Sequence, residues 1–170
     1  MCTVIRTFQG GEFMRPILVV CAIPDEQRDP KWFHADNFIA MREAFADLMR
    51  FGQSNCSPIL IPDNPFWIQL ANMLAVPFRV YTDVNQAINE HNPCVVFIGG
   101  ADRELEVFKC LKSTDLPLLP IPNSRGAARV MYEDVRDRFL ERDRQILEKA
   151  RFASEVLSCF LSPYCHPEKP

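Results

Sequence analysis

The chain has 170 residues, 48% of them hydrophobic and 24% charged. That balance excludes a disordered chain and suits one domain with a full core. The net charge of -3 comes without a basic stripe, which excludes general nucleic-acid binding and leaves small ligands and protein partners open.

Residues 1–14 read as an N-terminal arm without the apolar core of a signal peptide. PILVVCAI, 16–23, is a short apolar run of β-formers, expected as a buried strand. A polar loop follows. Phe38, Met41, Phe45 and Leu48 then recur at steps of three and four, which predicts an amphipathic helix over 34–51 with Gly52 just past its end. SPILIP, 57–62, reads as a second buried strand. Asp63 or Asn64 can cap the next helix, with Pro65 in its first turn.

PFRVYT, 77–82, is expected as the third strand and VNQAINEH as a short helix capped by Asp83. PCVVFIG, 93–99, is the fourth and most apolar strand, followed by the helix DRELEVFKCLKS. PLLPI, 117–121, is the fifth strand, and NSRGAARVMYEDVRDR is helical again. A last long helix is expected over 139–161, with Ile146, Ala150, Ala153, Leu157 and Phe160 on one stripe. Residues 162–170 form a tail. Strands and helices alternate, and most strands are continuously apolar. That pattern predicts a single α/β domain over 15–161: a doubly wound, mostly parallel Rossmann-like sheet of about five strands, with helices on both faces.

Seven cysteines occur without a CxxC pair, and Cys21 and Cys94 sit inside apolar runs. The set is read as reduced and the compartment as cytoplasmic. Cys159, Cys165 and His166 are three metal-type residues in a Pro-rich tail without a second cluster, and His34 and His91 lack partners at metal spacing, so no metal site is expected. No cofactor signature is read. No run reaches the length of a membrane span.

Ligands of open α/β sheets bind outside the carboxyl ends of the strands. That rule selects a few loops. Gly99-Gly100-Ala101-Asp102-Arg103 leads to Glu106, and glycines there let backbone N–H groups approach an anion at a helix start. The plainer alternative is a tight turn. Asn123-Ser124-Arg125-Gly126-Ala127-Ala128 opens the next helix with small residues, and Arg125 can clamp the same anion. An ordinary capped helix start is the alternative there. Trp32 and Trp67 can stack on a base or pack in the core.

The stretch IGGADRELE resembles the PGGxGTxxE motif of LOG proteins, with Gly99, Gly100 and Glu106 in register. Asp102 stands in place of the third glycine and Arg103 in place of the threonine. PIPNSRGAA resembles the strand-turn-helix P-I/V-x-x-T-G-G-A-A of sensor domains, with Ser124 for threonine and Arg125 for the first glycine. Asp63-Asn64-Pro65 occupies the place of a G-G-H-P-like loop. On these residues, most of 15–136 resembles a divergent SLOG superfamily domain, the group of LOG proteins, DprA-like DNA-processing proteins and sensor domains of TRPM channels and antiphage systems.

The resemblance implies a domain that binds a nucleotide or nucleotide-derived ligand, of the ADP-ribose or nucleoside monophosphate type. Phosphate would lie on the N–H groups of Gly99–Asp102 and Ser124–Ala127, with Arg103 and Arg125 supplying charge. Glu106 or Asp63 would bond the ribose. One alternative is an enzyme cleaving an N-glycosidic bond, with Glu106 as the key carboxylate and Asp25, Asp63 or Asp102 as the second acid. Another is a scaffold with a degenerate pocket, whose C-terminal stripe packs on a partner or a second copy of the chain.

Overall fold

The computed structural model describes residues 15–150 together with Ser154, Val156 and Leu157. The arm 1–14, the tail 162–170, and Ala153, Cys159 and Phe160 of the expected last helix lie outside those residues.

The apolar runs form five parallel strands in the order β3-β2-β1-β4-β5. They are β1 (Ile17–Ala22), β2 (Ile59–Pro62), β3 (Arg79–Tyr81), β4 (Cys94–Gly99) and β5 (Leu118–Pro120). β1 and β4 lie side by side in the middle, paired from Ile17↔Cys94 to Ala22↔Gly99. Both are covered on both faces, which is why they read as unbroken hydrophobic runs. Strand order reverses between them, so their carboxyl ends mark the switch point of the sheet.

The helices are α1 (Asn37–Ser54), α2 (Pro65–Met73), α3 (Val84–His91), α4 (Asp102–Leu111), α5 (Ala128–Val135) and α6 (Glu141–Lys149). Right-handed crossovers set α1 and α2 on one face and α3 and α4 on the other. Phe45 of α1 packs on Trp67 of α2 at 4.7 Å between ring centroids. On the opposite face Phe108 of α4 meets Phe97 of β4 edge-on at 5.5 Å. Asn64 accepts the Phe66 N–H at 2.9 Å to start α2, and Asp83 accepts the Asn85 N–H at 2.9 Å to start α3.

α1 runs through Gly52 to Ser54 instead of ending before it, and two further helices differ from expectation. NSRGAA does not open a helix at Asn123. Pro122–Ser124 form one 3-10 turn, Arg125 leaves it at φ 73° and ψ -176°, and α5 starts only at Ala128. The side chains that would cap an earlier start are spent elsewhere. Ser124 Oγ accepts the Gly99 N–H, and Asn123 Nδ2 donates to the carbonyls of Leu147 and Ala150. Those same bonds bear on the second difference. The expected helix 139–161 breaks at Ala150, whose ψ of 152° is extended. Val156 and Leu157, beyond the break, are buried.

Cys21, Cys94 and Cys110 are not disulfide-bonded, whereas Cys56 is, so the expectation of a wholly reduced set does not hold there. Among the described residues no helix is long and apolar enough to cross a membrane.

Candidate functional site

The switch point is closed from within the chain. Gly99 and Gly100 both take positive φ, 62° and 93°, as β4 turns into α4. The Met41 side chain of α1 lies against Gly99, in the space a Cβ would need. Gly126 lies over Gly100, where a Cβ would come within 2.6 Å of the Gly100 carbonyl oxygen. The two loops beyond β4 and β5 therefore pack backbone to backbone.

Their N–H groups are engaged accordingly. Gly99 N–H donates to Ser124 Oγ at 3.0 Å, and Ser124 Oγ–H donates to the Ile121 carbonyl at 2.6 Å. Gly100 N–H donates to the Ala22 carbonyl at 2.7 Å, and Ala127 N–H to the Gly100 carbonyl at 2.9 Å. Ala101 N–H donates to Glu104 Oε1 at 2.8 Å, which turns the Glu104 side chain back over Gly100. These donors, placed in an anion cradle by sequence, hold the corner together.

The groove lies one step toward β5. A cavity of about 510 Å³ opens between the loop after β1 and the loop after β5. Lys31, Trp32, His34 and Asn37 line one side, and Arg125 and Arg129 the other. Its charged lining residues are all cationic: Lys31, Arg125 and Arg129. Lys31 Nζ sits 4.8 Å from the centroid of the Trp32 ring. Arg125 reaches Asp36 at 3.9 Å, and Arg129 reaches Glu133 one turn further along α5 at 3.5 Å. Both pairs are more than half open to solvent on their acidic side, where screening leaves them weak. His34 Nδ1 accepts the Asp36 N–H at 3.2 Å.

Arg125 is held in an unusual backbone. The combination φ 73°, ψ -176° belongs to a region that glycine alone occupies without strain. The sequence resemblance placed a glycine at this position. The chain instead carries an arginine, half exposed, on the rim of the groove.

The other expected site residues are distributed as follows. Asn123 and Gly126 also line the groove. Ser124 is fully buried beneath it. Asp102, first residue of α4, accepts the Trp32 indole N–H at 2.9 Å. Arg103 is exposed in the first turn of α4 and does not line the groove. Glu106 is 71% exposed and pairs with Lys109 at 3.7 Å along the same helix. Asp63 lies exposed at the end of β2, apart from the groove. Asp25 accepts the backbone N–H groups of Arg28 and Gln27, which hold its carboxyl below the usual carboxylate range. Burial pushes the Cys21 thiol up, and Glu104 adds to the shift, so that thiol is a poor nucleophile.

Trp67 packs between Phe45 and Phe66 in the core. Trp32 reaches the groove. Lys31, Asn37 and Arg129 are functional candidates that sequence reasoning missed. For Arg129 a signal existed, since it follows Arg125 by four residues at the start of a helix. Among the described residues no cluster of three or more metal-type side chains occurs. In comparisons with known proteins the chain matches no family model, no curated protein and no solved structure.

Proposed function

We propose that the chain is a binding domain for a nucleotide or nucleotide-derived anion, held in the groove between the loops after β1 and β5. The observation that carries this reading is Arg125. A non-glycine residue in a glycine-only conformation costs about 1–3 kcal/mol and persists where the surroundings or a function demand it. Here it sets a guanidinium beside Arg129 and Lys31, with the Trp32 ring nearby. Planar guanidinium groups suit phosphate oxygens, and an indole face suits a base. The size falls within the usual range of small-molecule sites.

The test is thermal unfolding with AMP, ADP-ribose, NAD and cyclic nucleotides, on the wild type and on Arg125→Gly. Glycine removes the charge and relieves the backbone, so misfolding does not explain a lost response. A ligand at about 100 times its dissociation constant stabilises by about 2.7 kcal/mol. The expected result is a raised midpoint for at least one compound in the wild type, and a loss of that gain in the variant. No response to any compound refutes the reading.

A second reading is an interaction protein. It is favoured by the filled switch point and by exposed Phe33, Phe38 and Ile39 in one short stretch. Sedimentation over a concentration series tests the simplest form, self-association into a homo-oligomer. The glycosidase alternative draws no support from Glu106, which pairs with Lys109 on an open helix face. Cysteines outside any disulfide at Cys21, Cys94 and Cys110 fit a cytoplasmic protein, and the bonded Cys56 speaks against a wholly reduced one.

A further inference from the structure

The side of the groove opposite the arginines holds a buried acceptor without a donor. Asn37, the first residue of α1, is only 1% exposed and lines the groove. Its Nδ2 donates to the Trp32 carbonyl at 2.9 Å, which fixes the orientation of the amide. Its Oδ1 then has no hydrogen-bond partner among the described residues. A buried carbonyl left unpaired is costly, and such groups call for an explanation by a missing partner. Oδ1 is itself shielded from solvent, and the chain beside it, 33–36, is exposed throughout, so a ligand donor reaches it once that exposed segment shifts.

We propose that the groove recognises an anion that also carries a hydroxyl or amino donor, with the donor bonded to Asn37 Oδ1 and the anionic group on Arg125 and Arg129. The ligand class is thus a sugar phosphate or nucleoside phosphate, as opposed to a bare inorganic anion. This rests on the function proposed above and adds the donor requirement to it. The groove is two-ended by construction. The loop after β5 supplies charge, and the start of α1 supplies a neutral acceptor that an ionised phosphate oxygen cannot satisfy.

Calorimetric titration of the wild type and Asn37→Ala with pyrophosphate, ribose 5-phosphate and AMP tests it. The wild type is expected to prefer ribose 5-phosphate or AMP to pyrophosphate by about tenfold or more, the scale of one buried hydrogen bond. Asn37→Ala is expected to lose that preference while keeping its pyrophosphate affinity.

If all three probes bind the wild type equally, the groove is an anion site and the donor requirement is overturned. The same holds if Asn37→Ala lowers the midpoint of unfolding yet keeps the preference, as it would if a structural water fills the acceptor. If none of the probes binds, the groove reading fails with it. Should Asn37→Ala fail to fold, methyl phosphate, a phosphate monoester with no hydroxyl or amino group on its carbon, is titrated against the wild type beside ribose 5-phosphate. Equal affinity for the two overturns the proposal.

Discussion

Trp32 Nε1 donates to Asp102 Oδ1 at 2.9 Å, and that bond pins the loop after β1 onto the first turn of α4. The two residues belong to different βα units, and their strands run side by side at the switch point. Trp32 is buried, so its indole N–H has no ready alternative in water. The bond therefore shapes the groove as well as the corner, because Trp32 is part of the groove wall.

Asp102→Ala should leave that N–H unpaired and cost about 1–3 kcal/mol. Asp102→Asn keeps an acceptor and should cost less. The midpoint of thermal unfolding reads the stability. In a Trp67→Phe background, the emission of Trp32 reads its environment and should shift to the red in the alanine variant. Equal stability of all the proteins would show that the bond contributes nothing.

Arg125→Gly should stabilise the unliganded protein. Relief of about 1–3 kcal/mol of backbone strain outweighs the entropy that glycine adds to the unfolded chain, about 0.5–1 kcal/mol. The lost pair with Asp36 is exposed and weighs little. A rise of a few degrees in the midpoint is expected for a chain of this size. Arg125→Ala, with the charge removed but the strain kept, should show no such rise. A midpoint lowered by the glycine would mean that Arg125 is not strained in solution.

Gly126→Ala should do the reverse. A methyl group there meets the Gly100 carbonyl oxygen at 2.6 Å and sits on a residue at φ 64°. Strain and overpacking together are expected to cost about 2–4 kcal/mol. The loop would have to retreat from β4 and break the Ala127-to-Gly100 bond. Hydrogen exchange at the Ala127 amide measures this directly. Unchanged protection would exclude the close packing of the two loops.

The sheet was legible because its strands are local signals. Runs such as VVFIG carry their own burial, and parallel order follows from the alternation of strands with helices. The site was legible only in part. The switch-point rule led to the loops after β4 and β5, and Asn123, Arg125 and Gly126 do line a groove there. What could not be read is how those loops spend their hydrogen bonds. Ser124 bonds a residue 25 positions back, and Asn123 bonds one 24 positions ahead. Such long-range pairings have no periodicity in sequence. Lys31 and Asn37 were missed for the same reason, since the place of their segment beside the loop after β5 depends on the Trp32 bond to α4.

The clasp between α5 and α6 should respond to acid. Tyr132 Oη donates to Glu148 Oε2 at 2.7 Å, and Arg136 Nε donates to the same oxygen at 3.1 Å. The Tyr132 hydrogen bond is the largest cause that holds the Glu148 carboxyl below its ordinary value of 4.5; burial opposes it, and Arg136 adds to the lowering. A carboxyl depressed in the folded state contributes stability above its unfolded value. That contribution is lost as the pH falls through the lower folded value. The wild type should therefore be more stable than Glu148→Gln at neutral pH, and the gap should close as the pH drops below 4.5. Tyr132→Phe should narrow the gap at neutral pH, because it removes the larger cause. Midpoints of unfolding for these proteins, taken from neutral pH down to about pH 3, decide the matter. A gap that stays constant across that range would mean Glu148 is not the group that titrates, and that the two helices are held by packing alone.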